Sequence, residues 1–567
     1  MQIMQVIHKK TIVALLLSIC IFAAFIRIYR IDSAPRGATV DEIHFGYLAY
    51  SIGETGNDEH GVHLPLIFKG FGDDKLPLQT YILVPIVKFF GLNNTTVRIP
   101  SIVAGLMLIL VMYALVRELG MSRSAGIFTA MIVAISPWSF FLSRFGYESN
   151  LGLLLFSASL YFSLRGLREK KLGWMIASSV LLGLTWYAYI AFRPVSVLFA
   201  ALTSYLYLRN GQKPRRQAII IISVFILMIV PLLLPRNVGS NATRFKQVGI
   251  LSDPGLSLEV NEDRTFCVEN LPREVCYFTF NKPFLALRKL SARYLYSLGP
   301  DFLFLEGEKD QGMMTVKGFA QLYLVLLPFY ILGISSLITE KKTKLIMTRD
   351  AILIIGLLIS PIPAALVGDA QKVRISVLLP FVLIAIAIGF DISLNYARKK
   401  VGELKSIIFL VFVVLVIFTE ALIYFTSWFG VHTSKNSQIY QSYVPEIVNF
   451  ITSHPKSKIN IVPFYSDPIM FFAYYSKFDP LVYQREAILG DVEDSGFQHT
   501  VELGRITAYS YSIETFSCSI DQGKKGYYVT DQELTQATEV GKIMSDNGVD
   551  TLVRMYSSIS SEKLDCN

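Results

Sequence analysis

The sequence predicts an α-helical polytopic membrane protein with a small α/β domain at its C-terminal end. Three observations carry this. Of the 567 residues, 52% are hydrophobic and only 17% are charged, against about 25% charged in an ordinary soluble protein. The apolar residues fall in long runs. From about residue 430 onward, polar stretches alternate with short β-rich runs. This balance excludes a soluble cytoplasmic enzyme and a disordered chain. The net charge of +9 reads as topology and not as nucleic-acid binding, because Lys and Arg are dispersed at the ends of the apolar runs.

Crossing about 30 Å of hydrocarbon at 1.5 Å per residue takes roughly 20 apolar residues. About eleven runs qualify: 11–29, 98–116, 124–142, 150–164, 174–191, 194–208, 217–235, 319–338, 350–367, 375–391 and 406–428. Segment 76–92 contains Pro85 and Lys88 and is expected to lie along the interface. Cations set orientation. Lys9 and Lys10 precede the first run, and alternate loops carry Arg117 and Arg123, Arg165 to Lys171, Arg209 to Arg216, Lys341 to Arg349, and Arg398 to Lys405. All fall on one side if eleven runs cross and 76–92 does not. The N-terminus is then cytoplasmic, and segments 30–97, 236–318 and 429–567 lie outside. Run 11–29 lacks a small-x-small cleavage site and reads as a retained anchor in the cell membrane.

The expected division is a membrane domain, 1–429, and an extracytoplasmic α/β domain, 430–567. In the latter, 458–465, 526–530 and 549–556 read as strands, and 439–453 and 531–547 as helices. Cys267 and Cys276 share one outer segment and Cys518 and Cys566 another, while Cys20 lies in a run. A Cys267–Cys276 bridge would contribute about 2–3 kcal/mol; free thiols are the alternative.

Ionisable residues are scarce within the runs, whereas a transporter needs them near the midplane. The polar interest lies outside. Asp41 and Glu42 immediately precede a helical pattern. Neighbours on a helix point about 100° apart, so one carboxylate can face a substrate while the other orients it or bonds locally. A carboxylate shielded from water can act as a general base; an N-cap role for Thr39 or Asp41 is the competing explanation. Asp73, Asp74 and Lys75 precede Leu76-Pro77. A lysine at a helix start suits phosphate, but it also suits a snorkelling side chain. Arg144, Arg193 and Arg374 stand in short outer loops where orientation disfavours them. A bound phosphate explains them, as does pairing with Glu148, Asp369 or lipid headgroups. His44, His60 and His63 lack a fuller ligand set. No Walker, H-E-x-x-H or G-x-S-x-G pattern is present.

An N-terminal anchor followed by "VDEIHFGYLAYSIGETGNDEHG", "DDKLPLQTYILVPIVKFFG", "SPWSFFLSRFGYESNLGLLLF", "DFLFLEGEKDQGMMTVKGFAQLYLVLLPFYILG" and "VRISVLLPFVLIAIAIG" resembles the GT-C superfamily of membrane glycosyltransferases. The nearest branch is that of protein O-mannosyltransferases and the lipid A aminoarabinose transferase. The likeness runs over about residues 10–430. It implies an inverting glycosyltransferase that moves a sugar from a polyprenyl-phosphate donor to an acceptor hydroxyl of protein, lipid or polysaccharide on the extracytoplasmic face. It implies Asp41 as the base beside Glu42, and Lys75, Arg144 and Arg374 as contacts of the donor phosphate. Asp74, Tyr147, Glu148 and Arg193 are implied near the substrate cavity. It also implies no required metal or other cofactor. The partners are then the donor, the acceptor and membrane lipids, with no nucleic acid. A flippase or exporter of a lipid-linked glycan is the alternative, and a membrane-anchored binding protein a further one.

Overall fold

The computed structural model describes residues 9–70, 74–210, 213–234, 249–250, 254–309, 314–339, 344–462, 467–492, 498–509, 526–531, 538–544 and 551–557. Each of the eleven apolar runs is helical over most of its described residues. Among the described residues, six helices are long and apolar enough to cross a membrane, or seven if one bent pair counts as a single span. The bent pair, Arg123–Ile135 and Pro137–Arg144, turns by 52°. Pro137 has no N–H to continue the ladder, and Ser136 accepts from the Ser139 N–H to start the second helix. Helices Glu148–Glu169 and Phe192–Asn210 are polar enough to fall short of the apolar group. Helix Pro77–Phe90 is only 14 residues long and contains Pro85. Its length is about 21 Å, against about 30 Å of hydrocarbon.

Two compact units divide the chain. One comprises residues 1–29 and 101–425, the other residues 30–100 and 426–567. In the first, small residues let helices approach closely. Helices Leu327–Thr339 and Leu379–Val401 meet where Gly333 lies on the Ala385 carbonyl and Gly389 on the Phe329 carbonyl. No Cβ fits at either place. Helices Glu148–Glu169 and Leu172–Ala188 are joined by two reciprocal bonds of 2.9 Å, from Ser159 Oγ to the Ser178 carbonyl and from Ser178 Oγ to the Ser159 carbonyl. Helices Pro254–Val268 and Arg273–Thr279 are linked by a Cys267–Cys276 disulfide. Cys518 and Cys566 lie outside the described residues.

The main core of the second unit is drawn from both of its segments, with a small cluster of Leu48, Ile52 and Phe68 within the early one. Ile43, Phe45 and Tyr47 from the early segment pack with Ile451, Phe471 and Tyr483 from the late one. The early segment supplies helix Val40–Thr55 and a hairpin of β1 (Phe68–Lys69) and β2 (Asp74–Lys75). The late segment supplies helices Val444–Ser453, Pro468–Ser476 and Pro480–Glu486. Its strands are β3 (Ile459–Ile461), β4 (Ala487–Leu489), β5 (Thr500–Leu503), β6 (Ile506–Ala508), β7 (Tyr527–Thr530), β8 (Thr538–Met544) and β9 (Thr551–Ser557). They form one sheet in the order β4-β5-β6-β3-β7-β9-β8, with β3 parallel to β6 and β7 and the other pairs antiparallel.

One expected element is corrected. Residues 531–547 read as helix, but Thr538–Met544 form the edge strand β8, paired along β9. Thr538, Val540 and Ile543 are β-branched and Gly541 is a poor helix former, so strand pairing overrides the helical spacing.

Candidate functional site

Thr39 starts helix Val40–Thr55 with a capping box. Its hydroxyl accepts the Glu42 N–H at 3.3 Å, and its own N–H donates to Glu42 Oε2 at 2.9 Å. Asp41 and Glu42 therefore diverge as neighbouring helical residues must. The Glu42 side chain is 1% exposed and accepts Arg98 Nε at 2.7 Å. Arg98, itself buried, also donates to the carbonyls of Ile31 at 2.6 Å and Gly37 at 2.7 Å. Glu42 and Arg98 thus fix the loop before the helix. Sequence reasoning missed Arg98. The only available signal is a cation at the head of an apolar run, which topology alone accounts for.

Asp41 turns the other way. Its side chain is 35% exposed and forms an ion pair with the Lys75 ammonium, whose side chain is 4% exposed. The β1–β2 hairpin presents Lys75, opposite Phe68, just before Pro77 opens the next helix. The Phe45 ring lies 5.7 Å from the ammonium, a distance at which the ring face favours a cation. Asp74 pairs with Lys69 in the hairpin; Asp73 lies outside the described residues. What results is one partly exposed carboxylate held by one buried cation, with the second carboxylate committed to the scaffold.

Removing one partner of a buried ion pair leaves the other uncompensated and destabilises by about 3–5 kcal/mol. Arg98→Leu is therefore expected to lower the thermal midpoint of the purified protein by several degrees. An unchanged midpoint would show that the pair does not hold the loop.

The histidines are engaged locally. His44 Nε2 is 2.7 Å from Glu59 Oε1, His60 Nε2 is 2.6 Å from the Lys69 carbonyl, and His63 Nδ1 is 3.1 Å from Asn57 Oδ1. Burial raises the Asp58 carboxyl above its usual range, opposed by the N–H groups of Val62 and His60. Among the described residues, no three His, Cys, Asp or Glu side chains gather as metal ligands.

The arginines and their neighbours belong to the first unit. Arg144 is fully buried at the end of helix Pro137–Arg144 and donates to the carbonyls of Ile26 at 3.2 Å and Arg27 at 2.8 Å. It caps the C-terminal end of helix Lys9–Ile28, where unpaired carbonyls favour a cation. Glu148 begins a separate helix after Phe145–Tyr147, so the four-residue spacing from Arg144 does not lie on one helix face. Tyr147 is buried against Phe141 and Phe145, and its carbonyl accepts the Ser101 hydroxyl at 3.1 Å. Arg193 donates to the Trp186 carbonyl at 3.2 Å and lies over the Trp186 ring. Arg374 is half-buried and has no hydrogen-bond or ion-pair partner among the described residues. Its guanidinium lies close over Gly368, where a Cβ would meet Nη1 at 2.8 Å.

Lys372, two residues earlier, is the buried cation of this loop. Its ammonium donates to the Met314 carbonyl and lies 4.8 Å from the Phe141 ring. Its own N–H donates to Glu308 Oε1 at 2.6 Å, and its carbonyl accepts the Trp138 indole N–H at 2.9 Å. Burial lowers its pKa to about 8, with Glu308 opposing. Between pH 8 and the ordinary lysine range, the unfolded chain holds a proton that the folded one has released. Stability therefore rises with pH across that window, with a slope of order 1 kcal/mol per pH unit. Thermal midpoints measured from pH 7 to 10 are expected to show this rise, and Lys372→Met is expected to flatten it.

The family model described as dolichyl-phosphate-mannose-protein mannosyltransferase matches residues 74–234. The crystal structure of ArnT from Cupriavidus metallidurans bound to undecaprenyl phosphate superposes with a TM-score of 0.53 at 13% identity, covering 96% of this chain and 97% of that one. The chain has the GT-C glycosyltransferase fold. A second GT-C structure, the Archaeoglobus fulgidus oligosaccharyltransferase tethered with an acceptor peptide, matches with a TM-score of 0.50 at 13% identity over 83% of this chain and 63% of that one. No curated protein matches the sequence. The apolar helices and the GT-C fold together mark a membrane protein.

Proposed function

We propose that this GT-C chain is an inverting glycosyltransferase that uses a polyprenyl-phosphate sugar and an acceptor hydroxyl on the extracytoplasmic face. The observation that carries the reading is the Asp41–Lys75 pair, a partly exposed carboxylate beside a buried cation. A donor phosphate competes for the Lys75 ammonium and so releases the Asp41 carboxylate as a base. Asp41 then takes the proton of the acceptor hydroxyl. The acceptor oxygen attacks the anomeric carbon from the face opposite the phosphate. The carbon–oxygen bond to phosphate breaks, and its electron pair leaves with the polyprenyl phosphate. Glu42 and Arg98 position the helix start and do not touch the reacting atoms.

The test is turnover in detergent. The protein is expected to convert polyprenyl-phosphate sugar to free polyprenyl phosphate when an acceptor is present. A flippase leaves the lipid chemically unchanged. Lipid and glycan fractions from cells with and without the active protein, compared by mass spectrometry, identify the sugar and the acceptor.

A further inference from the structure

Helix Lys282–Leu298, KPFLALRKLSARYLYSL, is 17 residues long and holds Lys282, Arg288, Lys289 and Arg293 but no acidic residue. Its length of about 26 Å and its charges suit it poorly to crossing a bilayer. It nevertheless has two apolar faces. One buries Leu285 and Ala286 against Leu256 and Val260. The other is uncovered: Phe284 is 55% exposed, Leu287 60% and Leu295 66%. A stripe of this kind needs an occupant.

Two observations say which. The stripe is continuous with the surface of an apolar helix long enough to cross a membrane. The Tyr294 hydroxyl donates to the Leu358 carbonyl at 2.8 Å. A shallow cavity of about 430 Å³ joins Leu290, Tyr294 and Leu295 to Ile362. Ile362 belongs to the stretch Thr348–Val367, where Ile354, Leu358 and Ile362 are also uncovered. The charges are likewise divided. Lys289 pairs with Glu259 and Arg293 with Asp369, whereas Lys282 at the helix start and Arg288 next to Leu287 are exposed. Leu271 and Phe278, near the disulfide in sequence, are likewise uncovered at 55% and 84% exposure.

We propose that helix Lys282–Leu298 lies in the plane of the bilayer at the boundary of headgroups and acyl chains. Phe284, Leu287 and Leu295 enter the acyl region to a depth of about 5–10 Å. Lys282 and Arg288 reach the lipid phosphates. The occupant is therefore lipid and not a second protein. The inference is independent of the catalytic reading.

Full-length protein carrying Leu287→Trp is placed in vesicles of phosphatidylethanolamine and phosphatidylglycerol whose acyl chains carry bromine near the headgroup. The emission added over that of the native tryptophans is expected to be lost to bromine and insensitive to aqueous iodide. Phe284→Trp on the same stripe gives the same result if the first variant folds poorly. Lys456→Trp, at an exposed polar position in the other unit, is expected to behave in the opposite way. Quenching of the Leu287→Trp and Phe284→Trp emission by iodide, or shielding from both quenchers as a protein partner would cause, overturns the proposal.

Discussion

Asp41→Asn is expected to lower sugar transfer by about 10²–10⁴, the usual effect of removing a general base, while the protein stays folded. The replacement keeps the shape and an acceptor oxygen for the Lys75 ammonium but cannot take the acceptor's proton. The capping box belongs to Thr39 and Glu42, so the helix start does not depend on Asp41. The expected result is an unchanged elution profile and a modest fall in the thermal midpoint, because the buried Lys75 ammonium loses a charged partner, beside a collapse of polyprenyl phosphate release. Near-normal release by this variant removes Asp41 from the role.

Ending the chain before Thr426 is expected to abolish activity by a different route. Segment 30–100 has no complete core of its own. Ile43, Phe45 and Tyr47 are covered by Ile451, Phe471 and Tyr483. The Tyr47 hydroxyl donates to the Phe478 carbonyl at 3.1 Å, the Tyr474 hydroxyl to Asn94 Oδ1 at 3.2 Å, and Gln484 Nε2 to the Asp58 carbonyl at 2.9 Å. Burying a single large apolar side chain contributes about 1.5–3 kcal/mol. Losing many at once exceeds the roughly 5–15 kcal/mol that holds a domain together. Limited proteolysis should then cut within 30–100 of the shortened chain and spare it in the full one. A shortened chain that resists cleavage there and keeps its turnover would contradict a shared core.

The helices of the membrane part are legible because apolar runs of this length have one common solution, a helix that satisfies its own backbone. Breaks within them are less so. The 52° turn at Ser136–Pro137 follows from proline chemistry, but the Arg27 guanidinium that bonds the freed Val133 and Ala134 carbonyls lies more than a hundred residues earlier. At the candidate site, Asp41 and Lys75 stand out in the sequence because each lies near a helix start. Their contact depends on β1 and β2, strands of two residues each, too short to show a period. Arg144 stands out for its unexpected sidedness, yet capping a helix end gives a cation as good a reason to be there as a bound anion does. The edge strand β8 is illegible for a related reason: its partner β9 decides its conformation, and pairing is not a local property.

Because one compact unit is assembled from residues 30–100 and 426–567, synthesis and folding run out of step. At about 5–20 residues per second, the early stretch waits tens of seconds for the end of the chain before its inner surface can close. During that interval Asp41 is already made but has no finished scaffold around it. A ribosome that stalls or terminates early therefore releases a chain whose half-made second unit is open to quality-control proteases.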